Sequence, residues 1–210
     1  MKRFVVIFLT AVLCCLISQM SAATVNPAVQ YASTGTEVDG NAWTLGYEFT
    51  TSIGLSINAL GYWNDGEGNT HQVGIWDTSG NLLVSTTVLT SDTVIDDFQW
   101  HSISDYSLAA GTYVIGGEFP ASVVAPSPFP AFAAGITTIP GYTWVDDLQV
   151  EGSGLNFPTV NTLGSYGNNG ILVADFSVDE GSTVPEPGSL LLASLGLAGL
   201  AAAIRRRRTA

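Results

Sequence analysis

The side chains best suited to chemistry in this chain are oxygen donors. Asn64-Asp65-Gly66-Glu67-Gly68-Asn69 places Asn64, Asp65, Glu67 and Asn69 on a glycine-bent loop, and such carboxylate and amide oxygens are the hard ligands that Ca²⁺ prefers. The segment departs from the twelve-residue EF-hand pattern, so a hairpin turn with solvated acids competes with a Ca²⁺ loop. Two acidic pairs, Asp96-Asp97 and Asp146-Asp147, raise glycoside hydrolysis as a second chemistry. A retaining glycosidase needs two carboxyl groups ~5 Å apart across its substrate. Neighbours on an extended chain point to opposite faces, so each pair would need a distant partner. His71 and His101 are the only histidines, and there is no Gly-x-Ser-x-Gly elbow, so a hydrolytic triad has little to work with and neither histidine is assigned a role. The chain reads as a non-enzyme, and the alternative is a secreted glycan-active hydrolase using loop carboxylates.

Aromatic rings are the other candidates for contact with a ligand. Trp43, Trp63, Trp76, Trp100 and Trp144 all fall between the two ends of the chain. Exposed rings can stack on sugar faces, although most of these five belong in a core. Trp76 is out of phase with Val73 and Ile75, and Trp144 adjoins an irregular stretch. These two are the rings expected at the surface and the candidate ligand contacts.

The elements that must position these groups are strands. In residues 53–63 apolar and polar residues alternate with a period of two, the signature of a half-buried strand. Short runs rich in β-branched and aromatic residues follow at 45–49, 71–77, 82–89, 98–103, 112–119 and 171–176, each bounded by Gly, Asn, Asp or Pro. Glycines in Asp77-Thr78-Ser79-Gly80-Asn81 and in the 64–69 loop supply turn chemistry. Residues 119–144 carry five prolines and little alternation, and are expected to form a long surface loop. The expected fold is all-β, a single antiparallel β-sandwich or jelly-roll domain over residues 24–178, with 179–187 as a linker.

Charge separates that body from the ends. The chain carries a net charge of −12, and its six basic residues are Lys2, Arg3, Arg205, Arg206, Arg207 and Arg208. Residues 24–184 contain no Lys or Arg, and every one of the 18 acids except Glu186 lies there. Such a body repels phosphate backbones, which excludes nucleic acid as a partner. It also cannot form Lys or Arg ion pairs.

The N-terminus has the three parts of a secretory signal: Lys2 and Arg3, an apolar core from Phe4 to Ile17, and the small residues Ser21-Ala22-Ala23. Cleavage is expected after Ala23, with Ala22 as the neighbouring alternative, by signal peptidase after passage through the Sec translocon. Cys14 and Cys15, the only cysteines, leave with the signal, so the mature chain has no disulfide. At the other end, residues 188–204 form an apolar segment followed by the basic tail 205–210. Its uninterrupted apolar core, Leu190 to Ile204, has 15 positions. At ~1.5 Å per residue that core spans ~22 Å of a ~30 Å hydrocarbon layer. Arg205, Arg206, Arg207 and Arg208 are the topology anchor, holding this end in the cytoplasm while everything upstream faces outward.

Val184-Pro185-Glu186-Pro187, the apolar segment with Gly196 and Gly199, and the four arginines occur in the order that resembles a PEP-CTERM sorting signal of Gram-negative bacteria. That resemblance implies exosortase as a partner, cleavage near Pro-Glu-Pro and only transient residence of the helix in the inner membrane. The body resembles a domain of unknown function found in bacterial surface proteins, through residues 45–63, 71–88, 98–104, 108–119 and 157–176. The resemblance implies a β-sandwich and brings no catalytic residues. Together these resemblances imply an exported structural or adhesive protein of the cell surface or extracellular matrix. Exopolysaccharide is the expected partner and Ca²⁺ the one candidate ion.

Overall fold

The computed structural model describes residues 24–121, 127–161 and 171–179. The expected signal peptide, with its expected cut after Ala23, lies outside the described residues. So do the linker beyond Asp179 with Val184, Pro185, Glu186 and Pro187, the sorting helix, and the basic tail with Arg205, Arg206, Arg207 and Arg208. Among the described residues every regular element is a strand: β1 (Val29–Gln30), β2 (Ser33–Asp39), β3 (Trp43–Thr51), β4 (Leu55–Trp63), β5 (His71–Asp77), β6 (Leu82–Val88), β7 (Thr93–Ile95), β8 (Phe98–Leu108), β9 (Gly111–Phe119), β10 (Ser127–Ala134), β11 (Thr137–Thr138), β12 (Tyr142–Glu151), β13 (Val160–Asn161) and β14 (Ala174–Val178). Two larger antiparallel sheets carry the order β13-β12-β3-β9-β5-β6 and β14-β4-β8-β7. Two-stranded pairs, β1-β11 and β10-β2, complete them.

Side chains from both larger sheets meet in one buried cluster. Tyr47 and Phe49 of β3 are fully buried, and the Phe49 ring lies 5.2 Å from that of Phe176 in β14. Tyr62 of β4 stacks on His71 of β5 at 3.7 Å and fills the space over Gly117 of β9. Burying a large apolar side chain contributes ~1.5–3 kcal/mol, and such contacts across the cluster hold the two sheets together. The chain ends of the body close the four-stranded sheet. Ala28 N–H donates to the Phe176 carbonyl at 2.8 Å, and Val178 N–H to that of Asn26 at 3.0 Å. Asp179 continues the fold one residue beyond the expected boundary, accepting from Asn58 at 2.6 Å and Ser56 at 3.2 Å.

The segment 119–144 is not the long loop its prolines suggest. It holds β10, β11 and the start of β12. Among the described residues β10 pairs with β2 alone, so Pro128 and Pro130 sit in a strand with a free edge, where a missing N–H breaks no ladder. β12 crosses the six-stranded sheet beside β3, but its register shifts between Trp144 and Asp146. Such a bulge destroys the alternation by which a strand is recognised in sequence.

The outer face of the six-stranded sheet is also covered. Gly46, Gly116 and Gly74 stand opposite one another across β3, β9 and β5, and residues 155–158 lie over this row. A Cβ on Gly74 would come within 3.0 Å of Leu155, and one on Gly116 within 3.3 Å of Pro158. Thr44 fastens the crossing segment, its hydroxyl accepting from Asn156 N–H at 2.8 Å.

Candidate functional site

The acidic loop 64–69 leaves β4 and enters β5, and its oxygens are largely engaged within the protein. Asp65 Oδ1 accepts the Glu67 N–H at 2.8 Å, and Asn64 Oδ1 accepts that of Gly66 at 3.4 Å. Asp65 Oδ2 faces His71 Nε2 at 3.3 Å, both side chains being buried. The Nδ1 atom of His71 lies 3.1 Å from the Glu118 carbonyl oxygen, so the ring sits between Glu118 and Asp65. Glu67 and Asn69 are exposed. Among the described residues no three His, Cys, Asp or Glu side chains gather as a metal site.

Neither candidate tryptophan offers an open ring. Trp76 does point away from Val73 and Ile75, but it is only 4% exposed, packed with Val114 and Leu148 beneath Leu155 and Phe157. The expectation of an exposed ring is corrected by the segment that crosses the outer face, which sequence periodicity cannot reveal. Trp144 is half-buried, and Tyr47 stacks on one of its faces at 3.8 Å. Trp144 pairs with Phe49 on the same face of β12 as the buried Tyr142, which turns the indole toward the core.

The acidic pairs are displayed differently from each other. Asp96 and Asp97 are the two central residues of the β7–β8 hairpin, between the paired Ile95 and Phe98. Their φ angles are 49° and 67°, a left-handed pair that favours Asn-Gly and that costs other residues ~1–2 kcal/mol each. They are therefore on a tight turn and not on the extended chain that the sequence suggests. Asp147, by contrast, is buried on β12 opposite Tyr47.

Asp96 and Asp97 line a cavity of about 300 Å³ with Gln30, Tyr31 and Phe98. Burial, and then the Asp97 charge, push the Tyr31 phenol up to about 12. A second cavity of about 250 Å³ shares Pro27 and Gln30 with the first and is lined by Thr137 and Thr138. This concave surface around β1 was not legible in sequence, because it joins the start of the body to a turn some 65 residues away and to β11.

Known families match two parts of the chain. A family described as a domain of unknown function (DUF4082) matches residues 29–166. The chain belongs to this family. A PEP-CTERM protein-sorting motif matches residues 183–208, which contain Val184, Pro185, Glu186, Pro187, Arg205, Arg206, Arg207 and Arg208. That motif marks an exported protein that is processed by exosortase and sorted to the cell envelope, consistent with a Gram-negative bacterium. No curated protein and no solved structure matches the chain.

The DUF4082 match ends before β14, yet β14 belongs to the folded unit. All five of its residues are buried. Asp175 at its centre accepts from Val29 N–H at 3.2 Å, Phe176 N–H at 2.8 Å and the Tyr47 hydroxyl at 3.4 Å. Burial pushes its carboxyl well above the ordinary carboxylate range, against the opposing pull of these hydrogen bonds. The Tyr47 and Tyr142 phenols beside it are raised by burial as well. This polar group in the core ties the start of the DUF4082 match to β14. The one signal in the sequence is an Asp inside Ile171-Leu172-Val173-Ala174-Asp175-Phe176, an apolar run in a body without a basic partner.

Proposed function

We propose that this protein is a structural or adhesive component of the exopolysaccharide layer, released from its membrane helix by exosortase and held by its body to glycan. The two larger sheets are read as a β-sandwich that serves as a rigid, non-catalytic module. The observation that carries the reading is the junction of a sorting motif at 183–208 with a body lacking Lys and Arg. A surface of one sign keeps such modules soluble and apart from nucleic acid.

Extraction of host cells tests this. The protein is expected in the extracellular matrix fraction, and a strain unable to make the polysaccharide should shed it into the medium. Equal retention on cells with and without the polysaccharide would remove the glycan layer from the account.

A further inference from the structure

The strongest unassigned feature is the concave surface around β1. Its two cavities, about 300 and about 250 Å³, abut at Pro27 and Gln30. Each approaches the lower end of small-ligand sites, ~300–1,000 Å³. Their linings are polar in complementary ways. The first offers the carboxyl groups of Asp96 and Asp97 beside the Tyr31 ring. The second is lined by Asn26, Thr137 and Thr138, with no ionisable side chain. Gln30, exposed on β1, stands between them with an amide that can both donate and accept.

From this arrangement we infer that the groove binds a linear chain of neutral sugars, at least two units long, running across Gln30. The inference rests on the proposed place of the protein in a glycan layer and names the surface that holds the glycan. Carboxylates accept hydroxyl protons in short, strong hydrogen bonds, and a half-buried Tyr ring provides an apolar wall for a sugar face. Backbone hydrogen bonding holds the acidic turn in place, the Asp97 carbonyl accepting from Asn64 N–H at 2.8 Å. An anionic saccharide would meet Asp96 and Asp97 without any Lys or Arg in the body to balance it. A small cation would use the first cavity and leave the second without a purpose. An apolar ligand would leave the amides and hydroxyls unpaired.

Isothermal titration of the protein recovered from the host envelope tests the groove, using cellopentaose, maltopentaose and mannopentaose as neutral probes. Glucose, tri-galacturonate and CaCl₂ serve as the comparison set. At least one neutral pentasaccharide should bind more than tenfold tighter than glucose, and tri-galacturonate should give no heat. Gln30→Ala and Thr138→Ala, both at exposed positions, should each weaken binding about fivefold or more without moving the thermal midpoint. The inference is overturned if none of the three pentasaccharides binds, if both variants bind as the parent does, or if only Ca²⁺ binds. Matrix retention of the same two variants separates this inference from the wider reading. If they remain in the polysaccharide fraction and bind sugars unchanged, the groove fails while the surface role stands.

Discussion

The body and the two ends of this chain divide charge between them. All six basic residues stand at the ends, and none stands between residues 24 and 184. The body must therefore accommodate its acids without Lys or Arg, and the structure shows three ways. Most keep some contact with solvent, and Asp96 and Asp97 are fully displayed on their turn. Two face the histidines of the body: Asp65 faces His71 at 3.3 Å, and Asp92 faces His101 at 2.9 Å. Asp175 is buried without a cation, and burial favours its neutral form. Charge in this chain is thus divided between ends and body, and the core of the body holds one carboxyl that burial pushes toward its neutral form.

Changing the ends should have the largest effect. If the arginines orient the C-terminus, as we propose, replacement of Arg205, Arg206, Arg207 and Arg208 by Glu should make uncut chain accumulate at the expense of the surface form on immunoblots of fractionated cells. Normal sorting of this variant would break the contrast between ends and body.

Within the body Asp175 should matter most. Asp175→Ala leaves the N–H groups of Val29 and Phe176 without their buried acceptor, at a cost of about 2–4 kcal/mol in urea unfolding. Asp175→Asn keeps an acceptor and stays neutral at every pH, which sharpens the comparison through its pH profile. Because the folded carboxyl is raised above its unfolded value of about 3.8, its favourable contribution is fully present below that value. The contribution is lost as pH rises through the folded pKa. Wild type should thus lose stability from acid to neutral pH more steeply than Asp175→Asn, whereas parallel profiles would show that Asp175 is not held neutral.

Two smaller changes probe the surface. Phe157→Ala uncovers Trp76 on the outer face and should cost about 2 kcal/mol, less than truncation of a fully buried Phe, with a red-shifted tryptophan emission. Asp97→Gly relieves a left-handed residue at φ 67° and should stabilise by about 1 kcal/mol. For a domain of this size that raises Tm by about 2–4 °C. A fall in Tm would show that the Asp97 carboxyl holds the turn by contacts that outweigh the strain.

What sequence revealed follows from what each signal measures. Alternation marked β4, runs of β-branched and aromatic residues marked β5, β6 and β9, and turn residues bounded them. Alternation failed on β10, whose prolines occupy a free edge, and on β12, whose bulge at Trp144–Asp146 breaks the period. The phase of Trp76 correctly turned it away from the Val73 and Ile75 face, but its burial depends on Leu155 and Phe157, some 80 residues further along. Asp65 was visible as an oxygen donor, while its buried partner His71 became visible only once β5 was in place. The groove around β1 is a product of tertiary contact and has no local signature.

The most direct measurement is the intact mass of the native protein recovered from its host. The chain should begin at Thr24, end near Pro185-Glu186-Pro187 without Arg205, Arg206, Arg207 and Arg208, and be found outside the inner membrane. Recovery of the surface protein with its basic C-terminus still attached, or of all 210 residues from the cytosol, would contradict this.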